Sequence, residues 1–298
     1  MSETEFDLTW IEEQTPEEIM EEAMSKGLNR FYCLYSGGQD SACTTHFIAT
    51  NYPKQFAGVV HSETGVSLKQ TREFVIRYCK EMGWPLTITY APKRKRRPGP
   101  FGWEYSYENF CKEKGFPGPH LHQNVMGYLK YYGWRRFMIN KKLTEPGCCL
   151  ISGVRKKESL NREKFREYTK KRSNYDGSMT FVLPFLYKNG IQMGRYFIEN
   201  GLKKSPAYDM GFNISGECMC GSFANPWERL LVQRNDPDLF KRLVALEADV
   251  KKMGTWRAKH NTEWGKSKPV ATLKKRRTKS LGIDMYCTES CEPAEMNE

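Results

Sequence analysis

The junction at residues 31–51 constrains this chain most. A short apolar run, Phe31-Tyr32-Cys33-Leu34-Tyr35, leads into Ser36-Gly37-Gly38-Gln39-Asp40-Ser41, and a stretch that reads as helix follows from Ala42 to Asn51. A strand that turns through two glycines straight into a helix is half of a βαβ unit, and such units build parallel sheets. The junction also has the makings of an anion cradle. Glycines let backbone N–H groups approach a phosphate, and the helix dipole favours negative charge at that end. Ser36 and Ser41 add hydroxyl donors, and Asp40 stands where it caps the helix or helps to hold a phosphate-bound metal. The pattern is neither the P-loop ending in Gly-Lys-Ser nor the dinucleotide fingerprint Gly-x-Gly-x-x-Gly.

The pattern continues past this unit. A second strand is predicted from Phe56 to His61, with a turn at Ser62-Glu63-Thr64-Gly65. Residues Leu68 to Met82 form an amphipathic helix with Leu68, Thr71, Val75, Tyr78 or Cys79, and Met82 on one face. Leu86 to Tyr90 alternates as a strand. The order β-α-β-α-β predicts an α/β fold with a doubly wound, mostly parallel sheet. Lys93 to Gly102 is basic, rich in Pro and Gly, and reads as an exposed loop. Residues 103–145 read as helical fragments, Cys148 to Gly153 as a buried strand, and Thr180 to Pro184 as another. Helices are expected near Met193 to Gly201 and from Asp236 to Met253, the latter with Pro237 in its first turn and Gly254 past its end. The expected division is an acidic lead-in over 1–29, a nucleotide-binding domain over 30–215, and a smaller helical, cysteine-containing region over 216–298 with a basic tail.

The chain has 298 residues, a formal net charge of +12 and ten cysteines. The acidic N-terminus carries no hydrophobic segment, and no run approaches the ~20 apolar residues that span a bilayer. A soluble, cytoplasmic protein is therefore expected, with no membrane partner. Basic runs at Lys93 to Arg97, Arg135-Arg136, Lys141-Lys142, Arg155 to Lys157, Lys170 to Arg172 and Lys274 to Arg277 suit a polyanion. Tyr131, Tyr132 and Trp134, interleaved among them, are candidates to stack on bases.

A disulfide framework does not suit such a chain. Cys33, Cys43 and Cys79 fall in apolar periodic segments and read as buried small hydrophobes. Cys148-Cys149, Cys218-x-Cys220 and Cys287-x3-Cys291 are grouped, and grouped thiols suggest a metal or an iron–sulfur cluster. Two short-spaced pairs closing a long loop make Cys218, Cys220, Cys287 and Cys291 the preferred ligand set. His120 and His122 read as loop residues after Pro119, with metal ligation as the alternative. Glu217 has no assignable role.

The Ser-Gly-Gly-Gln-Asp-Ser turn resembles the Ser-Gly-Gly-x-Asp-Ser signature of the PP-loop (N-type) ATP pyrophosphatases, whose fold is adenine nucleotide alpha hydrolase-like. Further segments resemble the phosphoadenosine-phosphosulfate (PAPS) reductase branch. His61-Ser62-Glu63-Thr64-Gly65 is similar to its Asp-Thr-Gly turn, and Thr71 to Val75 to its next helix. Ser152-Gly153-Val154-Arg155-Lys156-Lys157-Glu158-Ser159 is similar to Gly-Ile-Arg-x-x-Glu-Ser. Ser205 to Phe212 is similar to Asn-Pro-Leu-Tyr-Asp-x-Gly-Tyr. These matches run in family order over residues 31–221.

The resemblance implies an enzyme that binds ATP with Mg²⁺ through Ser36, Gly37, Gly38, Asp40, Ser41, Thr64, Gly65, Gly153 and Arg155, with Asp40, Ser41 and Arg155 catalytic. Glu158 orients Arg155 or caps the next helix. The reductases' terminal Glu-Cys-Gly-His motif is replaced by Glu217-Cys218-Met219-Cys220-Gly221. Adenylyl-sulfate reductases hold a [4Fe–4S] cluster through a Cys-Cys pair and a later Cys-x-x-Cys, which Cys148-Cys149 and Cys218-x-Cys220 resemble in part. The cysteine pattern is also similar to phage- or mobile-element-borne members and to the sulfur-inserting protein of DNA phosphorothioation systems. The leading expectation is adenylation of a target with pyrophosphate release, for sulfur transfer to nucleic acid from a sulfur donor, with an iron–sulfur cluster preferred over zinc. The alternatives are a PAPS or adenylyl-sulfate reductase served by a thiol-reducing partner, and a non-catalytic nucleotide- or nucleic-acid-binding protein.

Overall fold

A computed structural model describes residues 14–91, 93, 99–102, 104–156, 168–171 and 179–266. In chain order the elements are α1 (Pro16–Ser25), β1 (Arg30–Leu34), α2 (Gln39–Asn51), β2 (Phe56–Glu63), α3 (Lys69–Glu81) and β3 (Leu86–Tyr90). Next come α4 (Tyr107–Lys114), α5 (His122–Met126), a π-helical turn (Gly127–Tyr131), α6 (Tyr132–Thr144), β4 (Cys148–Ile151), β5 (Tyr168–Lys171) and β6 (Met179–Val182). Helices α7 (Gly190–Glu199), α8 (Pro226–Asn235) and α9 (Pro237–Met253) follow.

One sheet carries the strands in the order β3-β2-β1-β4-β6-β5. The first five are mutually parallel, and β5 runs antiparallel to β6 at the edge. The doubly wound α/β expectation is met. From β1 the chain winds outward through β2 to β3, then crosses back to build β4 and β6 on the other side. The order therefore reverses between β1 and β4, and in open α/β sheets the crevice at the carboxyl ends of the strands at such a reversal is where ligands sit.

Side chains alternate along each strand, so β1 feeds two cores. Phe31, Cys33 and Tyr35 enter a core shared with α1, α2, α3 and α7. Tyr32 and Leu34 enter the opposite one, with Val60, Trp134, Leu150 and Phe181. A further core is built from α4, the π-helical turn, residues 207–220, α8 and α9, and includes Val66 and Leu68 from the turn after β2. Trp134, expected as a base-stacking aromatic, is instead in the interior at 3% exposure, where its indole N–H donates to Ser62 Oγ at 2.7 Å.

Candidate functional site

The 36–41 turn closes on itself. Ser36 and Ser41 share a hydrogen bond between hydroxyls at 3.0 Å, and Ser41 Oγ accepts from the Ser36 amide at 3.3 Å and donates to the Gly38 carbonyl at 2.9 Å. The Gly38 amide donates to Ser36 Oγ at 3.2 Å. These hydroxyls, expected as ligand donors, hold the turn in shape. Gly37 has φ +86, a conformation that glycine adopts without strain, and a Cβ there would stand 3.2 Å from Val75 Cγ2. Its carbonyl accepts from the Ser205 amide at 2.7 Å, which ties the resembling segment 205–212 to the turn. Helix α2 begins at Gln39, with Gly38 as its N-cap, so Asp40 lies in the first turn and does not cap it. The leading amides of any helix lack intrahelical acceptors, and here they open at the end of β1.

Asp40 and Arg155 meet across that opening. The Asp40 Oδ2 atom accepts from Arg155 Nε and Nη2, both at 2.9 Å. Both side chains are largely buried. Gly153 makes the approach possible, because a Cβ there would lie 2.9 Å from the Asp40 carbonyl oxygen and 3.0 Å from Thr44 Oγ1. Lys156 lies 4.3 Å above the Tyr187 ring. Glu158 and Ser159 lie outside the described residues.

At the end of β2, Gly65 is exposed with φ +74. Its amide donates to Glu63 Oε1 at 3.0 Å, and its carbonyl accepts from Arg242 at 2.9 Å. Thr64 is buried, and its hydroxyl donates to the Glu217 carbonyl at 2.9 Å. Thr64 therefore secures the turn, and Gly65 is the member of the pair open to solvent.

Three residues at this end of the sheet gave no signal in the sequence. His61 is fully buried, and its Nδ1 carries the proton donated to the Tyr35 carbonyl at 2.8 Å, just before the glycine turn. Glu217, nearly buried, pairs with Lys130 and accepts from the Ser62 amide at 3.4 Å. Lys130 comes from the π-helical turn, an irregularity that no residue spacing announces.

The cysteines separate into different interiors. Cys148 and Cys149 point to opposite faces of β4, the first into the core containing Trp134 and the second into the core containing Phe31. Neither joins the core that holds Cys218 and Cys220. The arrangement that resembled a Cys-Cys plus Cys-x-x-Cys cluster site is therefore not formed. Burial pushes the Cys149 thiol well above its ordinary value and the Cys43 and Cys79 thiols up to about 12, as suits inert core residues.

Cys218 and Cys220 are in mutual contact. The hydrogen bond from Cys218 holds the Cys220 thiol well below its ordinary value, helped by His122 and Ser222. The same contact, with burial, raises Cys218. Burial, and then Cys220, push the Glu228 carboxyl up to about 7. Cys287 and Cys291 lie outside the described residues. Among the described residues no three His, Cys, Asp or Glu side chains already stand in a metal-holding arrangement, and the four-thiolate set of a [4Fe–4S] cluster is not gathered there. Also among them, no helix is long and apolar enough to cross a membrane.

Comparison with known proteins bears on this architecture. No curated protein matches the chain. Among solved structures, a PAPS reductase from Candida auris in a phosphate complex is 18% identical, with 68% of this chain and 88% of that one covered and a TM-score of 0.45. An FMN adenylyltransferase from Candida glabrata, bound to FMN and an ATP analogue, is 11% identical, with 67% and 63% covered and a TM-score of 0.42. An NH3-dependent NAD synthetase from Campylobacter jejuni is 16% identical, with 86% and 94% covered and a TM-score of 0.42. The family model described as the phosphoadenosine phosphosulfate reductase domain matches residues 30–223, the span that holds the glycine turn, Arg155 and the Cys218-x-Cys220 pair. That match takes in well over half of the chain, which therefore belongs to the phosphoadenosine phosphosulfate reductase domain family.

Proposed function

We propose that this protein binds ATP by its phosphates in the 36–41 turn and transfers the adenylyl group to an acceptor. The observation that carries the reading is the convergence of that turn with Arg155, held by Asp40 at 2.9 Å, at the point where the strand order reverses. Ser36, Gly37, Gly38, Asp40 and Ser41 grip the pyrophosphate portion, with Gly153 and Arg155 beside it and Thr64 and Gly65 toward the nucleoside. An acceptor oxygen attacks the α-phosphorus, the α–β phosphoanhydride bond breaks, and pyrophosphate leaves with the electron pair. A sulfur nucleophile then displaces AMP from the adenylated acceptor. The chain's part is to position the phosphates and to supply fixed dipoles and the guanidinium where charge develops. Asp40 is the hard oxygen donor that fits Mg²⁺, which when bound supplies charge neutralisation on the departing pyrophosphate.

For the acceptor we read nucleic acid, on the net charge of +12 and the basic stretch through Arg135 and Arg136. Loss of gel-shift binding in Arg135→Ala/Arg136→Ala supports this, and unchanged binding removes it. The nucleotide step is tested by pyrophosphate release from ATP. Asp40→Ala and Ser41→Ala, checked for folding by circular dichroism, are each expected to lose at least ~100-fold. Undiminished release in either would refute the reading. The family itself favours a second reading, reduction of PAPS or adenylyl sulfate. Sulfite release from PAPS in the presence of thioredoxin, without pyrophosphate release from ATP, selects it.

A further inference from the structure

The donors that the nucleotide reading leaves unused gather in the core between α4, α5 and the segment 216–222. Met219 anchors that segment. Its amide donates to the Val66 carbonyl at 2.9 Å, and its carbonyl accepts from Trp264 Nε1 at 2.8 Å. Gly216 and Gly221, with φ +78 and +82, bend the chain on either side. In an extended stretch residues i and i+2 share a side, so fixing Met219 sends Cys218 and Cys220 the same way. There Cys220 touches Cys218, hydrogen-bonds His122, and lies 3.2 Å from Ser222 Oγ. Both ring nitrogens of His122 are shielded from solvent, and the ring packs 4.8 Å from that of Phe223. Cys111 of α4 is fully buried beside Cys220, and its neighbour Tyr107 donates a hydrogen bond to the Cys220 carbonyl at 2.7 Å.

We propose that Cys218, Cys220 and His122, with Cys111 as fourth donor, form a site for a zinc-class divalent metal. Three thiolates and an imidazole are a tetrahedral structural zinc set, while an iron–sulfur cluster calls for four thiolates. The described side chains do not yet stand in that arrangement, so binding would rotate them inward about a common point. Ser222 and Tyr107, already bonded around Cys220, are the outer partners that keep such ligands oriented. The metal would tie α4 and the start of α5 to the segment that braces the Thr64–Gly65 turn. It binds without nucleotide, so its presence and the nucleotide reading are independent.

The test is elemental analysis of the full chain purified without added metal, followed by titration of the chelator-stripped protein with Zn²⁺ and Co²⁺. About one zinc per chain is expected, with a Co²⁺ thiolate spectrum and a higher melting temperature on metal addition. His122→Asn and Cys111→Ser should each weaken Zn²⁺ binding at least tenfold, and Cys287→Ser/Cys291→Ser should leave it unchanged. His122→Asn matters most, because it is conservative enough to fold where Cys220→Ser fails to. The proposal is overturned if no metal binds, or if binding survives His122→Asn and Cys111→Ser while falling in Cys287→Ser/Cys291→Ser. A broad band near ~400 nm that bleaches with dithionite overturns it too, since that signals iron bound by thiolates.

Discussion

The glycine-turn crevice and the thiol cluster are both built around a contact between distant parts of the chain, yet they are assembled differently. At the crevice, six consecutive residues and one arginine do most of the work, and backbone geometry after β1 and β4 aims them at each other. The thiol cluster draws on α4, the start of α5 and a bent segment beyond residue 215, with Met219 as the fixed point. A contiguous motif on regular elements announces itself in sequence, whereas a site made of scattered single residues emerges only when tertiary packing brings them together.

The same contrast runs through the two buried ion pairs, and the sharpest way to break it is to remove one member of the second. Glu217→Ala leaves Lys130 charged and unpaired in the interior, and should cost about 3–5 kcal/mol in chemical denaturation. Glu217→Leu combined with Lys130→Met should recover most of that loss. Equal losses in the single and double variants would mean that the pair is not the source.

A smaller effect concerns Glu228, whose carboxyl is raised from 4.5 to about 7. The folded state then holds a proton that the unfolded state has released, so this group's contribution to stability falls as pH rises from about 4.5 to about 7 and levels off above. In metal-free protein, Glu228→Gln should flatten that slope by about 1–3 kcal/mol. A slope unchanged by the substitution assigns it to another group. Gly153→Ala places a methyl 2.9 Å from the Asp40 carbonyl, and should cost about 1–3 kcal/mol while weakening nucleotide binding. Stability lost with binding intact would separate the crevice's packing from its chemistry. The smallest effect belongs to Cys148→Ala, a truncation in the core containing Trp134 that should cost about 1 kcal/mol and leave the metal content of the purified protein untouched.

How far sequence could reach follows from these particulars. The sheet was legible because β1, β2 and β3 are apolar runs punctuated by turn residues, with α2 and α3 between them. Helix α7 begins at Gly190 rather than Met193 because Asn189 and Gln192 form a capping box, a signal present in the sequence but outweighed by the apolar pattern after it. Helix α8 was missed although Asn225 caps it and Pro226 opens it, because its burial is inverted: Glu228 is interior, while Trp227 is 70% exposed. Strand β5 has the polar sequence Tyr-Thr-Lys-Lys, and an edge position tolerates it. Asp40 and Arg155 could be named in advance, since each follows a strand in a recognisable motif. Lys130 and His122 could not, because one depends on a π-helical turn and the other on where α5 begins.

The most direct test is a crystal structure of the protein with Mg²⁺ and a non-hydrolysable ATP analogue. The expected result puts the β- and γ-phosphates within about 3 Å of the backbone amides of residues 37–41, with the Arg155 guanidinium beside them. An analogue bound elsewhere on the sheet, with those amides facing only water, would contradict the account.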